Sequence, residues 1–400
     1  MKKKIELLSP AGSLEKLKVA FMYGADACYI GGTSYSLRAN ATNFSIDEIK
    51  EACLYAHDLG KKVYVTVNII FHDSDIDGLL DYLKKLASIG VDAIIVSDPL
   101  IIDLVNDNNI DLKIHISTQA SNLNYESVLF WKSKNVERVV LARELHKDEI
   151  REIIENTGIE VETFIHGAMC SSYSGRCVLS NYFTNRDANR GGCAQICRWN
   201  FDLVNSKKEK VTDTNDFSLA VKDLSLMQCL EEVIDLGITS VKIEGRMRSN
   251  YYIASVVSTY REAIDRYYDN TLTEDKKTKF LKVLNRVANR DSKEQFFNTF
   301  PRSDGNYYIG RDEVSNQDYL GLVIGYDENT KLATISSRNY FKVGDVVEFF
   351  GPNIDTFSYK IDKIYDSDDN EILVCNHPMS IIKLEVSNKL YENDIMRINL

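Results

Sequence analysis

The chain has 400 residues, of which 44% are hydrophobic and 27% are charged, with 20 glycines and 5 prolines. These proportions are typical of a folded globular protein and exclude wholesale disorder, collagen-like repeats and low-complexity architecture. The formal net charge of −11 argues against non-specific wrapping of nucleic acid, because phosphates are repelled on average, but it leaves room for a local basic site.

The start of the chain and the lengths of its apolar runs bear on the cellular compartment of the protein. The apolar runs are far shorter than the ~20 residues that a membrane-spanning helix needs. The basic start lacks the apolar core of a signal peptide, because Glu6 and Pro10 interrupt it. We therefore predict a cytoplasmic protein with no membrane partner. In a reducing cytosol the 8 cysteines are not expected to form a disulfide framework.

Residues 1–268 alternate short β-rich runs with amphipathic ones, which predicts eight βα units. Helices are predicted over 45–59, where Ser45 and Glu48 form a capping-box pattern, and over 75–89. Eight units in this length favour an α/β fold, a (β/α)8 TIM-like barrel, with a doubly wound sheet as the alternative. The candidate strands are rich in Val, Ile or Tyr and span 5–11, 25–31, 62–68, 92–98, 112–119, 137–142, 162–167 and 240–246.

The unit after the seventh strand departs from this alternation. Residues 168–220 are rich in Cys, Arg, Asn and Gly and have weak periodicity, which predicts a functional insertion in the barrel. Residues 269–317 have the pattern of a helical connector. Residues 318–400 show short strands separated by turns, which predicts a small C-terminal β-barrel domain.

Polar residues stand where the predicted strands end. In a (β/α)8 barrel the catalytic groups lie at the carboxyl ends of the strands, so these residues are candidates for the site. The competing interpretation is that strands generally end in polar turn residues. The polar strand ends are Asn68, Asp98, Gln119, Arg143, His166, Glu244 and Arg246.

The cysteines of the insertion have the spacing C-x6-C-x15-C-x3-C and are Cys170, Cys177, Cys193 and Cys197. Four thiolates in one segment can hold a tetrahedral Zn²⁺ or a [4Fe–4S] cluster. The lack of any C-x-x-C pair counts against zinc, but zinc, cluster and unligated cysteines all remain open from spacing alone. The other four are predicted to be small buried apolar residues, namely Cys28, Cys53, Cys229 and Cys375.

Motifs of hydrolases and nucleotide-binding proteins are absent from the sequence. It contains no H-E-x-x-H, no G-x-S-x-G, no P-loop and no G-x-G-x-x-G. Cys170 with His166 is only a weak candidate for a thiol–imidazole pair.

Several segments resemble the signature of the collagenase-like peptidase family U-32. They are ETFIHGAMCSSYSGRCVLS (162–180), NYFTNRDANRGGCAQICRW (181–199), VKDLSLM (221–227) and VKIEGRMRSNYY (241–252), and the resemblance extends over essentially the whole chain. It implies a [4Fe–4S] cluster on Cys170, Cys177, Cys193 and Cys197. Some branches use a cysteine just after the K-D-L motif, where this chain has Ser225. That departure favours Cys197 as the fourth ligand and leaves Cys229 as a lesser candidate.

The branch that the chain resembles most hydroxylates the wobble uridine of tRNA to 5-hydroxyuridine, in a pathway that needs prephenate. The resemblance therefore implies the tRNA anticodon loop as partner, with prephenate or another small carboxylate as a possible co-substrate. Two alternatives remain open. One is a collagenase-like peptidase, and the other is a non-catalytic RNA-binding protein with a structural zinc.

Sequence and resemblance together suggest roles for the polar groups. We expect His166, Glu244 and Arg246 to be catalytic, with Glu244 and Arg246 simply pairing to hold the barrel end as the alternative. Tyr173, Tyr182, Phe183 and Trp199 either stack an extruded base or pack the insertion on the barrel. The expected substrate-binding residues are His115, Gln119, Arg143, Arg176, Arg190, Arg198 and Arg248.

Overall fold

The computed structural model describes residues 4–37, 43–211, 217–288, 290–307 and 317–400. The strands of its first part are β1 (Glu6–Pro10), β2 (Ala27–Gly31), β3 (Lys62–Val67), β4 (Ala93–Val96), β5 (Lys113–Ile116), β6 (Arg138–Val140), β7 (Glu160–Gly167), a short β8 (Asp223–Ser225) and β9 (Ser240–Ile243). All except β8 are parallel, and β9 pairs with both β1 and β7. The sheet is thereby closed, which confirms the eight-stranded barrel over the doubly wound sheet.

Helices follow the barrel strands and enclose them. They are α1 (Leu14–Met22), α2 (Ile46–Asp58), α3 (Leu79–Ser88), α4 (Pro99–Asp107), α5 (Tyr125–Lys132), α6 (Lys147–Thr157), α7 (Leu179–Thr184), α8 (Leu230–Asp235), α9 (Asn250–Tyr268) and α10 (Glu274–Ala288). Helix α7 belongs to the insertion, and α10 follows the barrel. Among the described residues, no helix combines the length and the apolar character needed to cross a membrane.

The helix starts show which local signals acted as predicted. Ser45 caps α2, and it forms a complete capping box with Glu48, as predicted. The helix predicted over 75–89 instead begins at Leu79. Residues 75–78 do not continue the helix, because Gly78 has a φ of +78° and because the Asp75 carboxylate accepts hydrogen bonds from residues outside the helix.

The interior of the barrel carries charge at its amino-terminal end. Arg138 donates to Glu6 at 2.6 Å and to Glu162 at 3.1 Å. Lys242 donates to Glu162 at 2.8 Å and lies 4.3 Å from the centre of the Tyr29 ring. Burial disfavours each of these charges, and the opposite charges at hydrogen-bond distance offset that cost. Outside the strands, one continuous apolar cluster fills the space beneath the helices.

The insertion after β7 is irregular, as predicted. Apart from α7 and two short 3-10 turns, the described part of it has no regular helix. The short strand β8 pairs antiparallel with the end of β7 and parallel with β10 (Ser292–Lys293). Neither β8 nor β10 was predicted, because strands of two or three residues are too short to show a hydrophobic period.

The C-terminal part is an all-antiparallel β-domain with its own apolar core, as predicted. Among its described residues the main sheet runs in the order β15-β14-β20-β11-β12-β19-β16-β17, with β13 paired separately to β18. The strands are β11 (Tyr319–Asp327), β12 (Leu332–Ser337), β13 (Phe341–Lys342), β14 (Val346–Gly351), β15 (Ile354–Lys360), β16 (Ile364–Tyr365), β17 (Glu371–Ile372), β18 (Val374–Cys375), β19 (Ile381–Glu385) and β20 (Ile395–Ile398).

Aromatic contacts join the β-domain to the barrel. The rings of Tyr251 and Tyr319 stack with centroids 5.0 Å apart, and Tyr23 meets Phe350 edge to face at 6.0 Å. The hydroxyl of Tyr23 also donates to the carbonyl of Asn393 at 2.7 Å. Parts of the predicted barrel (1–3, 38–42), insertion (212–216) and connector (289, 308–316) lie outside the described residues.

Candidate functional site

The insertion lies over the carboxyl ends of the barrel strands, which we call the barrel mouth. On one side of the mouth it rests on the turn after β5. Ser121 donates to the carbonyl of Ser174 at 2.7 Å. Gly175 has a φ of +77° and packs so tightly on the carbonyl of Gln119 that a Cβ there would collide with it.

On the other side of the mouth the insertion is held by the loop after β3. Arg190 forms a two-pronged ion pair with Asp75, with one contact of 2.8 Å, and donates to the carbonyl of Ile70 at 2.6 Å. The hydrogen bond from Arg190 lowers the pKa of Asp75 to about 2. The N–H of Ile70 donates to the carbonyl of Asn189 at 3.1 Å. Arg190, predicted to bind substrate, thus anchors the insertion, and Asp75 was missed by the sequence analysis.

Cys170 and Cys177 precede α7 in the chain, and Cys193 and Cys197 follow it. Asn189 donates its side-chain N–H to the carbonyl of Cys177 at 2.9 Å, and the N–H of Ala194, next to Cys193, donates to Ser180 Oγ at 3.0 Å. The carbonyl of Cys197 accepts from Ser218 at 3.4 Å. Cys170 and Cys193 are exposed, whereas Cys177 and Cys197 are half-buried.

The donor chemistry of this segment fits a thiolate-bound metal site, since four cysteines lie outside the core within one insertion. Within the described ranges, the structure brings no three His, Cys, Asp or Glu side chains into a preformed metal-binding group. The remaining cysteines, Cys28, Cys53, Cys229 and Cys375, are buried. Burial raises the pKa of Cys229, which disfavours a thiolate at that position.

Arg143 and Glu244 form an ion pair at the mouth. Arg143 reaches one carboxylate oxygen of Glu244 at 3.3 Å and donates to the carbonyl of Ala168, the first residue of the insertion, at 2.7 Å. Its guanidinium lies 3.9 Å from the centre of the Phe164 ring. The hydroxyl of Tyr252 donates to the Glu244 carbonyl at 3.0 Å. The pair is therefore fixed in place before any ligand arrives.

Arg246 is buried and binds the opposite wall of the mouth. It donates to Ser36 Oγ at 3.0 Å and contacts Thr66 Oγ1 at 3.4 Å, and it also donates to the carbonyl of Leu37. The guanidinium occupies the space that a Cβ at Gly31 would need. Glu244 and Arg246 were expected either to be catalytic or to pair with each other, and the structure gives each of them a different partner.

His166 faces away from the barrel interior. The β7–β9 register shifts between Phe164 and His166, and such a bulge turns the following side chain to the other face of the sheet. The imidazole packs between the barrel and α9, with Nδ1 3.5 Å from the Tyr260 hydroxyl. Burial, aided by the charge of Arg248, lowers the pKa of His166 to about 3. The ring is neutral at physiological pH.

His115 lies inside the barrel, one layer below the mouth. Its ring meets Tyr64 edge to face at 4.8 Å, and it is 2% exposed. Burial, together with the charges of Arg138 and Lys242, lowers the pKa of His115 well below its ordinary value. The structure therefore separates His115 from the groups at the mouth.

The other predicted arginines divide into two groups. Arg248 stacks on Tyr252 and lies 3.7 Å from the buried carboxylate of Asp223, so it belongs to the outer wall near His166. Arg176 is exposed and Arg198 half-buried, and both lie on the insertion close to its cysteines.

Unpaired polar atoms mark the mouth as a place for a ligand. Asn68 is 8% exposed, and its amide nitrogen donates to Ser117 Oγ at 3.0 Å. Within the described part of the chain, Asn68 Oδ1, Gln119 Oε1 and Arg143 Nε are buried without a hydrogen-bond partner. Buried polar atoms are rarely left unpaired, so two acceptors and one donor are available there. Asn68 was seen as a strand end in the sequence but was not counted as a site residue.

Both the barrel part and the C-terminal part of the chain match models of known protein families. Residues 12–306 match the model of Peptidase family U32, and residues 315–397 match that of the Peptidase family U32 C-terminal domain.

Three curated relatives carry different names. The chain is 46% identical to tRNA hydroxylation protein P1 of Bacillus subtilis, over 99% of this chain and 95% of that protein. It is 38% identical to the 23S rRNA 5-hydroxycytidine C2501 synthase of Escherichia coli, over 66% of this chain and 39% of that protein. It is 30% identical to a protein named collagenase from Porphyromonas gingivalis, over 97% and 98% of the two chains.

Proposed function

The chain belongs to peptidase family U32, and from that premise we propose that it is an iron–sulfur enzyme that hydroxylates the wobble uridine of tRNA to 5-hydroxyuridine. One observation carries the proposal. Four cysteines outside the core lie on an insertion laid over the barrel mouth, in a chain 46% identical along nearly its whole length to a protein named for tRNA hydroxylation. An rRNA hydroxycytidine synthase among the relatives supports the same class of reaction.

The proposed cofactor is a [4Fe–4S] cluster on Cys170, Cys177, Cys193 and Cys197. When bound, such a cluster supplies electron transfer or Lewis-acidic iron. Two of the four cysteines are exposed and two are half-buried, which fits assembly of a cluster from outside. The insertion carrying them is tied to the barrel on both sides of the mouth.

The chain's own residues bind and orient the substrate in this proposal. The Arg143–Glu244 pair and Arg246 are already hydrogen-bonded, so they present fixed charges rather than mobile ones. Asn68 and Gln119 offer unpaired carbonyl oxygens to N–H or O–H donors of the substrate. His166 is neutral, so we assign it a hydrogen-bonding and packing role behind the mouth, not that of a cationic acid.

We propose that the anticodon loop of tRNA supplies the uridine, and that prephenate or a related small carboxylate is the co-substrate. Arg143 is a partly accessible cation at the mouth for a carboxylate, and Arg248 is another on the outer wall near His166.

The proposal is tested by deleting the gene in a strain with no second family member. Mass spectrometry of total tRNA nucleosides is expected to show loss of 5-hydroxyuridine and its derivatives, restored by the wild-type gene. Normal levels in the deletion strain would refute the function. Iron and acid-labile sulfide are measured on protein purified without oxygen, with about four of each expected per chain.

Peptidase activity is the second candidate function, because the relative named collagenase matches nearly the whole chain. This candidate predicts cleavage of denatured collagen by purified protein, abolished by one substitution at the mouth, such as Glu244→Gln. A stoichiometric zinc content, with unchanged tRNA nucleosides in the deletion strain, would favour the zinc-containing RNA-binding alternative.

A further inference from the structure

The insertion exposes large aromatic side chains that the barrel does not cover. Tyr182 is 85% exposed, Phe183 56% and Trp199 44%. Phe183 lies between Trp199 and Phe201, with ring centroids 6.4 Å and 6.0 Å away, both edge to face. Phe183, Trp199 and Phe201 therefore support one another on the surface, and Tyr182 is exposed next to Phe183 in the same helix. Exposed apolar clusters of this kind mark interaction sites.

Arginines without acidic partners lie in the same segment of the chain as these rings. Within the described chain, Arg176, Arg186 and Arg198 form no ion pair with a carboxylate, whereas Arg190 in the same segment does. Residues 168–211 carry seven lysines and arginines against three acidic residues, although the whole chain has 48 against 59. The segment is a positive surface on a negative protein, which suits a polyanion.

We propose that Tyr182, Phe183 and Trp199 form a stacking platform for unpaired bases of an RNA loop, with Arg176, Arg186 and Arg198 contacting its phosphates. The inference rests on the proposed function for the identity of the RNA. Aromatic faces stack any base, and arginines bind the backbone, so this surface gives affinity for single-stranded RNA without reading its sequence.

The position of the platform connects it to the rest of the site. Cys197 and Arg198 share one 3-10 turn immediately before Trp199, and Cys177 stands two residues before α7, which carries Tyr182 and Phe183. The same segment is fixed to the barrel through Arg190 and Asp75. The platform therefore adjoins two of the proposed cluster ligands along the chain, on a segment that is fixed to the barrel mouth.

The test is binding of an unmodified tRNA anticodon stem-loop, labelled with fluorescein, to the full-length protein by fluorescence anisotropy. Tyr182→Ala and Trp199→Ala are each expected to weaken binding about tenfold, as for loss of one stacked base. Tyr182→Phe is expected to keep wild-type affinity. Phe300→Ala is the matched control, because Phe300 is an aromatic residue 72% exposed outside the insertion. It is expected to change affinity less than twofold.

Two further measurements distinguish base stacking from general charge attraction and from self-association. A duplex RNA without a loop should bind equally to wild type and Tyr182→Ala. Equal loop affinity of wild type, Tyr182→Ala and Trp199→Ala would overturn the platform, as would a dimer by light scattering that Tyr182→Ala converts to monomer. If the deletion strain keeps hydroxylated tRNA while Tyr182→Ala still weakens loop binding, the platform stands and the proposed function falls.

Discussion

Four of the eight cysteines are buried and the four on the insertion are not, so substitutions in the two groups are expected to differ in their effect on cluster content and activity. Cys170→Ser is expected to lower iron and sulfide to well below half of the wild-type content and to abolish tRNA hydroxylation, because a hydroxyl is a poor ligand for iron of a cluster. Cys375→Ser is the matched control, since Cys375 is 3% exposed in the core of the β-domain. It should retain both cluster and activity, and similar losses in the two variants would contradict the ligand set.

Asn68 provides a second prediction, because its amide oxygen is buried without a partner at the mouth. Asn68→Ala is expected to reduce hydroxylated nucleosides at least tenfold in a complemented deletion strain, with iron content unchanged. The physical reason is the loss of a hydrogen-bond acceptor in a water-poor site.

Asn298→Ala is the control for Asn68→Ala. The amide oxygen of Asn298 is also unpaired among the described residues, but its nitrogen donates to Glu294, away from the mouth. Unchanged nucleosides are expected in this variant. A loss equal to that of Asn68→Ala would show that the effect does not depend on position at the mouth.

Sequence patterns predicted which residues stand at strand ends but not where their side chains point. Arg143, Glu244 and Arg246 all lie at the mouth, because the carboxyl ends of parallel strands share one edge. His166 does not, since a register shift in β7 reverses its direction, and no local composition signals that shift. His115 follows the period of two within β5 and points into the barrel interior, one layer too low to meet the others.

At the scale of elements, the alternation of strands and helices was sufficient to predict the barrel and to mark the insertion as irregular. The path of the insertion was not predictable. It depends on contacts between residues far apart in sequence, such as Arg190 with Asp75, which are 115 positions apart. Asp75 itself looked like the start of a helix, and only the folded chain shows that its carboxylate holds the insertion.

The Arg190–Asp75 pair therefore carries a prediction about the insertion as a unit. Arg190→Ala is expected to make residues 168–220 cleave several times faster with trypsin under native conditions, while the melting temperature falls by only a few degrees. The barrel core is untouched by the change, because both partners lie on loops at the mouth. Cleavage is followed by mass spectrometry of the fragments.

Two comparisons sharpen the test of this pair. Asp75→Arg combined with Arg190→Asp should restore protection if the ion pair itself is responsible. Arg151→Ala removes an exposed ion pair on α6 and should leave cleavage of the insertion unchanged. Because the folded pKa of Asp75 is lowered to about 2, protection in the wild type should persist down to about pH 4 and be lost as the pH falls further, with pepsin as the protease in this acid range. Wild-type cleavage rates in Arg190→Ala would exclude this anchoring role.

At the scale of the whole molecule, barrel and β-domain share an apolar boundary. Phe350 and Ile395 of the β-domain belong to the same buried cluster as the barrel helices. Asp394 is fully buried next to this boundary, where its Oδ2 accepts from the N–H of Tyr391 at 2.8 Å. The alternating strand pattern predicted a β-domain here, but a single acidic residue in a turn gives no sign that it is enclosed.

Asp394 makes the stability of the folded chain depend on pH. Burial raises its pKa from 3.8 to about 6, so the folded state binds a proton more tightly than the unfolded state does. Its contribution to stability is therefore greatest below about pH 4 and is lost as the pH rises through 6. Asp394→Asn is expected to raise the free energy of unfolding at pH 7.5 by about 3 kcal/mol and to give no gain at pH 4. Urea unfolding at the two pH values measures both effects, with Asp355→Asn, an exposed carboxylate on β15, as the control that should change neither. Equal effects of Asp394→Asn at pH 4 and pH 7.5 would mean that Asp394 is not the group responsible.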